Sequence, residues 1–134
     1  MTDNKEKKVT FFTAVNCIDG RAQIPIINYL KERFQADYID LITEPGVNLI
    51  LAEASKTDIV ESILRKIKLS LERNKSTGIA VAGHYDCKGN PAGYDEQIIH
   101  IKRAIHLLKE HYQDLPVLGL WVDKDWVVHE VSCN

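Results

Sequence analysis

The chain has 134 residues, 45% of them hydrophobic and 27% charged, with a formal net charge of −2; this is ordinary composition for one globular domain that can bury a core without staples. The near-neutral charge gives no electrostatic case for nucleic acid or an anionic membrane, and no apolar run approaches the roughly 20 residues of a membrane helix. Three cysteines, behind an opening Met-Thr-Asp-Asn-Lys-Glu-Lys-Lys that lacks a secretory pattern, argue against a disulfide framework and make the cytoplasm the expected location.

Residues 1–8 read as a solvated lead-in and residues 9–134 as a single α/β domain. Residues 9–16 are β-rich and almost continuously apolar, as in a strand buried on both faces. Residues 17–21 follow as a loop carrying Cys17, Asp19 and Arg21. From Gln23 to about Phe34 the positions Ile24, Ile27, Leu30 and Phe34 predict a helix with those side chains inward and Pro25 in its first turn. Residues 38–42 predict a second strand, closed by the turn Thr43-Glu44-Pro45-Gly46. Thr57 or Asp58 can cap the next helix, with Ile59, Ile63, Ile67 and Leu71 on one face and Asn74 and Gly78 ending it.

Residues 79–82 form the third predicted strand, which breaks at Gly83 and delivers His84 and Cys87 onto a loop. A helix from about Tyr94 to Tyr112 turns Ile98, Ile101, Ile105 and Leu108 inward. Residues 116–122 make the fourth strand. Lys124-Asp125 reads as a two-residue turn into a fifth strand over residues 126–131, antiparallel at the edge. Alternating strands and helices imply a mainly parallel sheet in the order 2-1-3-4 plus the edge strand, with helices on both faces. Such a sheet reverses between strands 1 and 3, and sites open at the carboxyl ends of the strands there. Those ends carry Cys17 and His84.

Cys17, His84 and Cys87 supply three soft ligands of the kind a catalytic zinc takes, leaving one position open. Asp19 can fill that position or hydrogen-bond a water in it. Arg21 can fork onto Asp19 and hold it ionised, or the two can be a plain surface ion pair. Cys133 has no comparable support. His100, His106 and His111 share no ligand face, His129 falls on the edge strand, and Trp121 and Trp126 read as residues that pack in the sheet or at a dimer contact. Tyr85, Asp86 and Lys88 flank the loop and can line the mouth of the site.

Cys17-Ile18-Asp19-Gly20-Arg21 followed by Gly83-His84-Tyr85-Asp86-Cys87 resembles the C-x-D-x-R and G-H-x-x-C motifs of the β-class carbonic anhydrases, in the same order and at similar separation. The resemblance implies Zn2+ bound by Cys17, His84 and Cys87, Asp19 and Arg21 as the catalytic dyad, and a homodimer. It also implies reversible hydration of carbon dioxide to bicarbonate by zinc-bound hydroxide. The chain departs from the family pattern at Gly20, where Ser is usual, and at Lys88, where Gly is usual. It also departs at Thr43-Glu44-Pro45-Gly46, which keeps only the glycine of the usual segment, and residues 1–16 lack the family's substrate-binding glutamine. The missing glutamine and the altered segment after the second strand favour one other function, a zinc-holding domain with a binding or regulatory role. The same fold and metal also suit a hydrolase of a related electrophile such as carbonyl sulfide or carbon disulfide, which the sequence does not separate from hydration.

Overall fold

The computed structural model describes residues 8–55 and 57–132. Most of the lead-in, and Cys133, lie outside the described residues. The elements in chain order are β1 (Phe11–Asn16), α1 (Gly20–Phe34), β2 (Tyr38–Thr43), α2 (Val47–Glu53), α3 (Thr57–Arg73), β3 (Ile79–His84), α4 (Tyr94–His111), β4 (Val117–Val122) and β5 (Val128–Val131). They form a single α/β domain around a five-stranded sheet of order β2-β1-β3-β4-β5. The first four strands are parallel and β5 runs antiparallel to β4, as the alternation of elements predicts. No helix among the described residues is long and apolar enough to cross a membrane.

Period-2 alternation divides the strands between two cores. Phe12, Ala14, Ala80, Ala82, Leu120 and Val122 face α1, which packs there through Ala22, Ile26 and Leu30. Val15, Ile79, Val81, Val117 and Trp121 face the other way, under α2, α3 and α4. One helix thus covers one face and three cover the other, and both β1 and β3 end at the same rim.

Several local expectations are corrected. Helix α1 begins at Gly20, not Gln23, because the Asp19 carboxylate caps it by accepting the backbone N–H of Arg21. The inward stripe is also offset from the predicted one and shares Leu30 with it. Ala22, Ile26 and Leu30 point inward, whereas Ile24 is 65% exposed, and Pro25 falls in the second turn. Helix α2 was not expected; it follows Gly46, which adopts φ +60° at its N-cap. Helix α3 starts at Thr57, so Thr57 and Asp58 are inside it and its cap position, 56, lies outside the described residues. Val60 is buried on α3, and Ile59 is partly exposed. Strand β3 does not break at Gly83 but runs through His84, carried by its ladder to Val122 on β4. Residues 123–127 connect β4 to β5, so the two-residue turn is replaced by a five-residue one.

Candidate metal centre

Strand β1 ends at the fully buried Asn16, and the chain turns at Cys17 before Asp19 opens α1. The turn is braced from within. Gln23 donates from Nε2 to the carbonyls of Cys17 and Asp19, at 2.8 and 2.9 Å. Asn16 donates from Nδ2 to the Cys17 carbonyl and to Gln23 Oε1. One strand over, β3 ends on His84, and Cys87 follows three residues on. Cys17, His84 and Cys87 are all buried, and their ligand atoms lie within 4.8 Å of one another. The sequence-predicted triad is therefore assembled.

Its geometry fits a metal. The Cys17 and Cys87 sulfurs are 3.8 Å apart, and two thiolates ~2.3 Å from a tetrahedral zinc stand about 3.8 Å apart. His84 Nδ1 lies 2.8 Å from the Tyr85 carbonyl; a proton on Nδ1 leaves Nε2 facing the sulfurs, the arrangement metal-bound histidines adopt. His84 Nε2 and Asn16 Oδ1 are, among the described residues, the only buried side-chain polar atoms with no hydrogen-bond partner. A buried imidazole nitrogen aimed at two thiols is costly unless something binds it.

Charge agrees with geometry. A hydrogen bond from the Cys87 thiol pulls the Cys17 pKa far below the usual thiol range against the effect of burial, with help from His84 and the backbone N–H groups of Gly46 and Asp19. The same bond, together with burial, pushes Cys87 up. Burial works to lower His84, but its contacts with Cys17 and the Tyr85 carbonyl outweigh that and raise it. The pocket therefore gathers negative charge on sulfur and holds protons that a cation would displace.

Asp19 does not join the three ligands. Its carboxylate is engaged by Arg21 instead: Oδ1 accepts from the backbone N–H at 2.9 Å and from Nε at 3.0 Å, and Oδ2 accepts from Nη2 at 2.7 Å. The fork holds Asp19 well below the ordinary carboxylate range. Arg21 is held in turn by Asp86, whose Oδ2 lies 3.3 Å from Nη1, and by the ring of Trp126, 4.6 Å beneath the guanidinium.

Trp126, which the sequence places in sheet packing or a dimer contact, packs against the core under α1 and also reaches the site. The turn after β4 wraps around Asp123, whose Oδ1 accepts the N–H groups of Asp125 and Val127. This puts Trp126 at φ +62° and its ring 6.2 Å from that of His84. Spacing along the chain carried no signal for that placement. Tyr85, Asp86 and Lys88 do line a cleft of about 460 Å³ beside Cys87, together with Tyr94 and Trp121. The other histidines stand apart: His100 meets Asn90, His111 meets the Leu107 carbonyl and His129 pairs with Asp123.

Residues 7–132 match the model of a family described as "Putative carbonic anhydrase". The chain belongs to this carbonic anhydrase family. Comparison with curated protein sequences gives no match. Among solved structures the fold is similar to tetrameric β-carbonic anhydrases from Sordaria macrospora, at TM-score 0.61 and 13% identity over 98% of this chain and 85% of that one. It is similar also to carbonic anhydrase from Glaciozyma antarctica, at TM-score 0.55 and 12% identity over 90% of this chain and 81% of that one. The β-carbonic anhydrase of Aspergillus fumigatus gives TM-score 0.53 and 11% identity over 97% and 79% of the two chains. At such identities the likeness shows the fold, and the chemistry has to be argued from the site.

Proposed function

We propose that this carbonic anhydrase family member hydrates carbon dioxide reversibly to bicarbonate, with Cys17, His84 and Cys87 holding a zinc ion and Asp19 and Arg21 acting beside it. The observation that carries this reading is the convergence of the Cys17, His84 and Cys87 ligand atoms, all within 4.8 Å of one another, with the two buried sulfurs 3.8 Å apart. Zinc supplies Lewis acidity and draws a nucleophile from water near neutral pH. Everything else falls to the chain. Asp19 Oδ1 already accepts two hydrogen bonds and Oδ2 only one, so Oδ2 retains a lone pair for the O–H of a reacting water. Accepting there turns that water's lone pair toward the carbon of the substrate. Arg21 keeps the carboxylate ionised and off the metal position.

Free buried thiols at Cys17 and Cys87 suit a cytoplasmic setting, where thiols stay reduced. Ile18, Ile24 and Tyr85 are exposed apolar side chains on the segments that build the site, which supports assembly at least to a homodimer; a monomer in light scattering would remove that part of the reading. The activity is tested by stopped-flow carbon dioxide hydration with zinc-loaded protein at about pH 8 to 9, above the ~7 of an activated water. Turnover that disappears in Cys87→Ser is the expected result. No turnover with one zinc bound per chain would leave a zinc-holding domain, and turnover of carbonyl sulfide alone would reassign the substrate.

A further inference from the structure

Beneath the metal loop lies a cluster of carboxamides that the hydration chemistry does not use. Gln97, Asn48 and Asn90 are each 1% exposed. Gln97, in the first turn of α4, donates from Nε2 to the carbonyls of His84 at 3.0 Å, Asn90 at 3.1 Å and Ala92 at 3.4 Å. It thus grips the loop bearing Cys87 at its entry and at its exit. Its Oε1 accepts from Asn48 Nδ2 at 3.0 Å, and Asn48 Oδ1 accepts from Asn90 Nδ2 at 3.3 Å. Asn90 Nδ2 also reaches His100 Nδ1 at 3.0 Å.

The cluster also reaches the turn after β2. Asn48 sits on α2, two residues after Gly46. A Cβ on Gly46 would stand 2.4 Å from the Gly89 carbonyl oxygen and 2.9 Å from the Asn90 nitrogen, so that turn packs directly against the loop bearing Cys87. Glycine at position 83 makes room for the cluster: a Cβ there would stand 2.6 Å from Asn48 Nδ2 and 2.7 Å from Gln97 Oε1. Three buried amides cost desolvation unless fully satisfied, and a satisfied network fixes one arrangement of what it holds.

We propose that Gln97, supported by Asn48 and Asn90, is the positioning residue of the metal centre, holding the His84 and Cys87 segments at ligand spacing through their backbone carbonyls. This inference rests on the metal-site reading above. Outer-shell partners of metal ligands typically carry ~10–100-fold in metal affinity, and Gln97 would act at that scale without touching the ion.

The test measures zinc affinity by chelator competition and the visible spectrum of the cobalt-loaded protein, in wild type, Gln97→Met, Asn48→Ala, Cys87→Ser and Thr13→Val. Gln97→Met keeps the length of the side chain and removes its donors; Asn48→Ala is the milder variant and decides the matter if Gln97→Met does not fold. Thr13→Val breaks an unrelated buried cluster with Ser70 and Ser76 on β1, so it reports what a general loss of stability does to binding. The expected result is zinc bound about 10–100-fold more weakly in Gln97→Met and several-fold more weakly in Asn48→Ala. The cobalt bands should shift in both, while Thr13→Val binds zinc and colours cobalt as wild type does. Wild-type affinity and spectrum in Gln97→Met and Asn48→Ala would overturn the positioning role alone, and so would an equal loss in Thr13→Val. A wild-type chain that binds no zinc, or a Cys87→Ser variant that binds it undiminished, would overturn the metal-site reading and this inference with it.

Discussion

The two sides of the candidate metal centre are built on opposite principles. Below it, Gln97, Asn48 and Asn90 form a buried, neutral clamp of amides and backbone carbonyls. Above it, Asp19, Arg21 and Asp86 form a charged chain with Trp126 against it, and Arg21 and Asp86 are each nearly half exposed. Neutral hydrogen bonds away from water hold geometry, because no alternative partner competes for them. Exposed ion pairs hold geometry weakly, since water and salt do compete, but they can exchange protons and admit substrate. Under the proposed function, the difference assigns position to the lower side and reactivity to the upper one.

The comparison breaks most completely at the ligands themselves. Cys87→Ser should lose metal affinity by well over the ~100-fold ceiling of an outer-shell change, and hydration activity with it, by metal analysis after dialysis and by stopped flow. Asp19→Asn should separate the two sides. It removes the charged acceptor and leaves the amide clamp alone, so zinc should be retained while turnover falls by about 10² or more, the scale of a lost general base or acceptor. Loss of zinc in Asp19→Asn would mean that the charged side also holds geometry.

A third change attacks the point where the loops meet. Gly46 lies at φ +60°, and a Cβ there would fall 2.4 Å from the Gly89 carbonyl oxygen and 2.9 Å from the Asn90 nitrogen. Both obstacles are backbone and cannot swing aside. Gly46→Ala should therefore cost about 1–3 kcal/mol in chemical unfolding, from the left-handed conformation and the displaced loop together, and weaken zinc binding as well. Unchanged stability would show that the turn after β2 and the metal loop move independently.

How much of this was legible in the chain follows from the range of each interaction. The strand order, the three ligand candidates and the Asp19–Arg21 fork depend on spacing within short segments and on where strands end, and sequence carries both. Helix α2 did not show because Val47–Glu53 is barely two turns long, too short for an apolar period, and it has no side-chain cap to mark its start. Ile24 misled because a bulky apolar residue outweighs Ala22 in any reading of hydrophobic period, yet the face that α1 turns to the sheet is the one bearing Ala22, Ile26 and Leu30. Gly46, Asn48 and Trp126 act through partners roughly 40 to 105 residues away in the chain, and Gln97 joins Asn48, 49 residues away, to carbonyls 5 to 13 residues away on a loop with no regular period. Their significance exists only once the sheet has brought those partners together.

Trp126 offers a finer cut at the charged side. At φ +62° a tryptophan is strained, and glycine would relieve on the order of 1 kcal/mol there. The stack on Arg21 is worth about 0.5–1 kcal/mol at an exposed site. Trp126 also packs against the core under α1, so Trp126→Gly should cost about 1–3 kcal/mol of unfolding free energy net of the relieved strain, while turnover drops roughly 2- to 5-fold as Arg21 loosens. Equal turnover would show that the fork to Asp19 alone positions the guanidinium.

The smallest effect comes from a charged cluster of similar build that lacks any chemistry. Tyr29 and Arg33 on α1 both reach Glu130 on β5, at 2.5 and 2.7 Å. Burial, then the hydrogen bond to Glu130, raises the Tyr29 pKa to about 12. A raised folded-state pKa means that the contribution is fully present below the unfolded value of ~10 and is lost as pH rises through about 12. Wild type should therefore lose stability faster than Tyr29→Phe across that window, followed by thermal melts with phenolate absorbance as the monitor. Zinc affinity and turnover near neutral pH should match wild type in Tyr29→Phe. If they do not, α1 transmits strain from β5 to Asp19, and the charged side of the centre extends the length of the helix instead of ending at Arg21.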